Sequence, residues 1–260
     1  MLRALAYALV ALLAALATVA ALAPAQWMAA AVRSVSNGQV DLADAEGTLW
    51  SGRGIVVIGT GREAVRASIA EPFSWNLAPW PLLAGVINLT LSHPSALAQP
   101  LTLRATFARR LDVGPDTARL PASLLAGLGA PWNTIRPGGM LVLSWDRIHV
   151  DAGRMLGDVS AEWQFAASAL TPVSPFGHYR LQARGGYPGT RLTLQTISGP
   201  LEMTGDGTIA EGGQLRFKGM ARPVPGADPA IKAQLAGLIA LLGRREGDAA
   251  IFSFGNLREQ

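Results

Sequence analysis

From residue 40 onward, apolar residues fall at every second position in run after run, and glycines or prolines bracket each run. A period of two puts alternate side chains on opposite faces of an extended backbone, so this pattern commits most of the chain to half-buried β-strands. "LTLRATF" sets Leu101, Leu103, Ala105 and Phe107 on one face and Thr102, Arg104 and Thr106 on the other. "MLVLSWDRIHV" begins apolar on both faces and then alternates, which predicts an interior strand that emerges toward solvent near Asp146. In "RLTLQTI", "PLEMTGDGTI" and "QLRFKGMA" the inward candidates are Leu192, Leu194, Leu201, Met203, Leu215 and Phe217, and the short "EGG" turn at 211–213 predicts an antiparallel meander. The 29 glycines and 17 prolines are spread along the chain, as short strands joined by turns require.

Helical spacing replaces the alternation in two places. In "GADPAIKAQLAGLIALLG", Asp228 is a capping residue, Pro229 suits the first helical position, and Ile231, Leu235, Leu238 and Leu242 line one face before Gly243. "RLPASLLAGLG" is a shorter version, with Leu124, Leu125 and Leu128 on one face and Gly129 as the stop. Residues 103–129 and 215–243 both read strand, arginine, Pro/Gly turn, helix, glycine, and each is followed by an apolar strand. Two readings stand: related halves, 40–150 and 151–260, or chance similarity in glycine-rich β sequence.

The N-terminus has a different constraint. Residues 4–25, "ALAYALVALLAALATVAALAPA", carry no charge and would rise about 33 Å as a helix, enough for a hydrocarbon core of roughly 30 Å. Leu5, Leu9, Leu12, Leu13, Leu16, Val19 and Leu22 are the lipid-facing candidates of such an anchor. A cleavable signal is the alternative, because Ala23-Pro24-Ala25 has the small-x-small form of a cleavage site. Either reading exports the rest, and the single Arg3 sets the N-terminus in the cytoplasm. The expected organisation is an anchor or signal-like segment at 1–26, a juxtamembrane linker at 27–39 and an exported β-rich domain at 40–260. Charged residues are only 15% of the chain, which fits a membrane-associated or extracytoplasmic protein.

Several functions are excluded or weakened. The net charge of +4 comes from scattered arginines, with Lys218 and Lys232 the only lysines, so no concentrated basic face argues for nucleic acid. With no cysteine, thiol catalysis and thiolate metal sites are impossible. His93, His149 and His178 have no metal-ligand spacing, and Asp41, Asp44 and Glu46 suit a solvated strand or loop edge. "GRGIVVIGTG" contains G-x-G but leads into a strand-like run, so no helix N-terminus stands ready for a phosphate. No G-x-S-x-G elbow occurs. The expectation is a protein without catalytic residues, cofactor or metal. In "EGTLWSGRG", residues 46–54, the glycines permit turning into a strand while Trp50 packs as an aromatic anchor.

The N-terminal apolar segment, "GTLWSG" at 47–52, "SWNLAPWPLL" at 74–83 and "GLGAPWNTIRPGG" at 127–139 together resemble protein N of the bacterial type II secretion system. Trp50, Trp75, Trp132 and Asn133 stand at family-typical positions and are the candidate partner-contact residues. The resemblance implies a single-pass inner-membrane protein with a periplasmic domain. Such a protein is an accessory of the machinery that moves folded proteins across the outer membrane, and its partners are the other secretion components and inner-membrane lipid. A second likeness concerns the tail: "LTLQTISGPLEMTGDGTIAEGGQLRFKGMAR" is similar to the strands of AsmA-like envelope proteins, which implies the alternative of a periplasmic groove that binds or transfers lipid. The expected fold is mainly β, an N-terminal transmembrane helix followed by a curved antiparallel sheet with one or two short amphipathic helices.

Overall fold

The computed structural model describes residues 2–59, 67–151 and 153–255. It opens with α1 (Leu2–Ala21), an alanine- and leucine-rich helix of 20 residues, about 30 Å long. Tyr7, Leu9, Val10, Leu12, Leu13 and Val19 are each more than half exposed on it, and so is Leu22 just past its end. The side chains of Leu5 and Leu16 lie outside the described residues. Among the described residues no helix is long and apolar enough to cross a membrane, so the crossing expected for residues 4–25 is not shown. A second helix, α2 (Gln26–Val35), occupies much of the stretch whose composition reads as a linker.

The strands begin with β1 (Val40–Gly47), β2 (Ser51–Ile58), the short β3 (Ala67–Ser68) and β4 (Phe73–Leu77). The one-turn helix α3 (Pro79–Leu82) leads to β5 (Val86–Ser92), β6 (Leu101–Thr106), β7 (Arg110–Val113) and β8 (Asp116–Pro121). A 3-10 helix, Ala122–Leu128, and α4 (Trp132–Ile135) connect to β9 (Pro137–Trp145) and β10 (Ile148–Asp151). Then come β11 (Arg154–Ser168), β12 (Gly177–Gly185), β13 (Gly189–Ser198), β14 (Leu201–Ala210) and β15 (Leu215–Pro223). The last elements are α5 (Pro229–Leu242), β16 (Arg244–Glu246) and β17 (Ala249–Phe254).

Every pairing is antiparallel, and together they make one large open sheet. Its first stretch runs β1, β2, β4, β5, β6, β7, β10 and β11, and its second runs β11, β12, β13, β14, β15, β17 and β16. The pair β8–β9 continues the lines of β7 and β10 and joins the sheet through β11. Strands that alternate in direction return their turns to the same two ends. The turns after β1, β4, β6, β10, β12 and β14 therefore share one end. α1 finishes at that end, because Ala23 O accepts from Leu49 N at 2.7 Å. The helical connections through the 3-10 helix, α4 and α5 lie at the opposite end.

A separate core marks each stretch. In the first, Met28 of α2 packs with Trp75 and Leu77, and Val32, Leu42, Ile87 and Leu91 close around them. In the second, Leu235, Leu238 and Ile239 of α5 press on Leu201, Phe217, Ala221, Ala250 and Phe252. The glycines of "MTGDG" belong to this packing: a Cβ on Gly205 or Gly207 would lie 2.6 Å from the Phe217 ring, so their absence of side chain makes its floor. Asp228 caps α5 as its sequence implies, accepting from Ala230 N at 2.7 Å.

The structure corrects some of the local expectations. Phe107 is not on the inward face with Leu101 and Leu103: β6 ends at Thr106, and Phe107 sits in the turn, 74% exposed, over Gly85. Leu215 is 38% exposed at the mouth of β15. "MLVLSWDRIHV" is two strands rather than one. Pro115 has no N–H to donate, so the line β7–β8 breaks at Gly114-Pro115 and the neighbouring line β9–β10 breaks beside it. The helix expected at 121–128 is 3-10 in form, and Leu128 is exposed. The two similar stretches agree in one respect: β8 and β9, like β15 and β17, are antiparallel neighbours joined through helix. They differ upstream, where the Pro/Gly turn of the first holds β7 and β8.

Leu238, 1% exposed, should lose about 2–5 kcal/mol of stability as Leu238→Ala in urea denaturation. Leu83→Ala, at a site 84% exposed, should change it by less than about 0.5 kcal/mol.

Candidate functional site

The structure brings Trp50 and Trp75 together and sets Trp132 against the other core, with Asn133 next to it in the chain. Gly47, at φ +93°, turns the chain out of β1, and a Cβ there would lie 2.6 Å from Ser51 O. The turn then closes on itself, since Thr48 N donates to Ser51 O at 2.8 Å and Ser51 N donates to Thr48 Oγ1 at 3.1 Å. Trp75 is 4% exposed beneath it, and its indole N–H reaches Thr48 O at 3.2 Å and Leu49 O at 3.1 Å. Gly52 exists to admit that ring: a Cβ on it would sit 2.5 Å from Trp75 Cζ2 and 2.5 Å from Glu46 O.

Trp50 reaches in the opposite direction. Its indole N–H donates to Ala20 O at 2.8 Å, in the last turn of α1, while its own carbonyl accepts from Leu77 N at 2.7 Å. Ala25 N also donates to Gly47 O at 3.2 Å, and Ala23 and Ala25 are each 1% exposed. The Ala23-Pro24-Ala25 segment, which resembles a cleavage site in sequence, is thus a strap between α1 and the sheet, with both alanines buried and Pro24 exposed. The stretch "GTLWSG" is the socket into which this strap bonds.

At the opposite end, Trp132 packs edge-on to Trp163, with ring centroids 6.4 Å apart. Trp163 continues to Phe176 at 5.5 Å and Tyr179 at 6.1 Å. The Tyr179 hydroxyl donates to Leu201 O at 2.8 Å, and burial pushes its pKa far up, so it stays a neutral donor. Asn133 begins the closing turn: its N–H donates to Gly129 O at 3.1 Å, and its side-chain oxygen accepts from Thr134 Oγ1 at 3.3 Å. Sequence reasoning missed Trp163, Phe176 and Tyr179 as members of this cluster, although "AEWQF" carries the alternation that places Trp163 inward.

Several polar groups are paired within the fold. His93 is 5% exposed; its Nδ1 accepts from Ala96 N at 2.8 Å and its Nε2 meets Glu71 O at 3.0 Å, so the ring caps a turn. His149 pairs with Asp112 on the surface. Among the described residues no group of three or more His, Cys, Asp or Glu could hold a metal ion. Glu162 on β11 accepts from Gln164 Nε2 at 3.0 Å and from Arg180 Nε at 2.8 Å. These bonds, Gln164's first and then Arg180's, hold its pKa below the ordinary 4.5. A concavity of about 450 Å³ opens beside Leu89, Leu103, Arg104, Asp112 and His149, and its lining mixes charge with apolar surface. The space between the sheet and α5, where a lipid groove would be expected, is a closed core with Leu235 fully buried.

Gly52→Ala should destabilise the fold by about 1–3 kcal/mol, because the added methyl displaces backbone or the Trp75 ring. In the same thermal melts Gly186→Ala, whose Cβ meets nothing within 4 Å, should change little. The depressed Glu162 pKa gives stability that is present above the ordinary value of 4.5 and is lost as pH falls through the lower folded value. Glu162→Gln cannot titrate, so chemical-denaturation curves for this variant should lose part of the acid dependence seen below pH 4.5.

A family model for protein N of the type II secretion system matches residues 38–251, which takes in β1 through the first half of β17. No curated protein and no solved structure matches the chain. With a match across more than four fifths of its length, the chain belongs to the type II secretion system protein N family.

Proposed function

We propose that this protein is an accessory component of the type II secretion system that acts from the inner membrane. In this reading α1 is an uncleaved single-pass anchor, the sheet lies in the periplasm, and the protein supports export of folded proteins across the outer membrane through contacts with other secretion components, without catalysis or cofactor. The observation that carries it is the family match over residues 38–251. The bonding of Trp50 to Ala20 O and the exposure of the described apolar side chains of α1 support the anchor, since they give an apolar helix surface directly joined to the sheet.

The contacts are assigned to the outer strands. β16 pairs on one side with β17, and β1 on one side with β2; on the other side of β1 Val40 bonds to Ser36 and Gly47 O accepts from Ala25 N, so β16 and the middle of β1 are the edges open to an added strand. Both edges are guarded against non-specific pairing: β1 carries a bulge at Asp44, φ +50°, and β16 exposes Arg244 and Arg245. Deletion of the gene should reduce secretion of folded periplasmic substrates under conditions where the pathway is required. Photo-crosslinkers at Asp44 and Arg245 should capture other secretion components in cells. Undiminished secretion in the deletion strain would refute the assigned role, and empty crosslinks with impaired secretion would refute the edge contacts alone.

A further inference from the structure

The turns at the anchor end of the sheet carry apolar side chains that no core absorbs. Trp80 is 79% exposed and Leu83 84% exposed on the connection between β4 and β5. Phe107, 74% exposed, caps the next turn, and its N–H donates to Gly85 O at 3.3 Å, so the two turns form one continuous patch. Pro79 and Pro81 flank Trp80 and fix the backbone around it, which lowers the entropy lost when the indole is held against a surface. Arg109 and Arg110 follow Phe107 after one alanine; Arg109 is exposed, and Arg110 shares its charge with Asp151 at 3.6 Å.

The position of this patch argues for its occupant. Leu77 N donates to Trp50 O, and the Trp50 indole donates to Ala20 O, so the β4–β5 turn is joined to the end of α1 through a single residue. From β2 to β6 the sheet advances by β4, β5 and β6, about 14 Å at the usual strand spacing, which puts Phe107 within a short distance of the helix end. Where α1 meets the headgroups, these turns meet them too. An indole, a phenyl ring and a leucine beside arginines is the composition that partitions into a headgroup layer containing anionic lipid.

We propose that Trp80, Leu83 and Phe107, with Arg109, form a foot that inserts into the outer surface of the bilayer beside α1 and holds the sheet at a fixed tilt to the membrane. The proposal rests on the anchor reading of α1. It assigns the patch to phospholipid rather than to a secretion partner.

The chain has no cysteine, so single-cysteine variants of the full chain can be labelled one at a time. Trp80→Cys, Leu83→Cys, Phe107→Cys, Leu12→Cys and Ala230→Cys, each carrying a polarity-sensitive fluorophore, would be reconstituted in vesicles of phosphatidylethanolamine and phosphatidylglycerol containing a nitroxide-labelled lipid. Leu12 reports the anchor, and Ala230, at the start of α5, reports the far end of the sheet. Labels at 80, 83 and 107 should be quenched by a shallow nitroxide, with the label at 230 unaffected. Quenching at 12 with none at 80, 83 and 107 would overturn the foot while leaving the anchor intact. No quenching at any of these positions would overturn both. If the foot fails, a photo-crosslinker at Leu83 that captures a protein would reassign the patch to a protein contact.

Discussion

The molecule depends on β11. A strand of 15 residues has to pair its N–H and C=O groups along both sides, and no single neighbour is long enough to do so. On one side it pairs first with β10 and then with β9; on the other it pairs with β12. Those pairings tie the stretch that contains Trp75 to the stretch that contains Phe176 and Tyr179. The bulge at Phe165, φ +51°, interrupts the ladders with β9 and β12 at the same level, and beyond it Ser168 Oγ donates to Ile135 O at 2.5 Å. That turns the end of the strand onto α4, so the Trp132 turn is positioned by β11 as well.

Tryptophan solves a recurring problem in this sheet. At four places, the end of α1, the turn after β1, the break between β7 and β8 and the start of β9, an indole supplies both a donor for a backbone carbonyl and an apolar body for the neighbouring packing. Trp50 serves Ala20, Trp75 serves Thr48 and Leu49, Trp145 serves Gly114, and Trp163 serves Gly138. Trp50 and Trp75 therefore have structural employment before any partner is considered, and Trp132 has it in its packing on Trp163. Trp80 differs from them: it is exposed, so its large apolar surface finds no use within the fold.

Much of the β architecture can be read from alternation, because a period of two is set by the backbone and survives any tertiary arrangement. The meander β13–β14–β15 and α5 with its Asp228 cap follow from pattern and local chemistry. Phe107 and Leu215 did not follow, since alternation says which side a residue faces while a strand lasts and nothing of where the strand stops. α2 was hidden for another reason: "QWMAAAVRSV" is only 10 residues long, and its docking against Trp75 and Leu77 is what makes so short a helix worth forming.

The sequence by itself determined the class of structure: an uncharged helical run, then short antiparallel strands punctuated by glycine and proline, with no thiol chemistry and no phosphate loop. Each of these is a local property, decided by side-chain volume, backbone freedom and residue type. Tertiary structure alone decided that the turns on one end of the sheet gather beside the end of α1, that Ala23 and Ala25 are buried in a strap against the sheet, and that Gly52 lies against Trp75. Those depend on strand order and register, in which residues tens of positions apart must meet, and no window of sequence contains both partners.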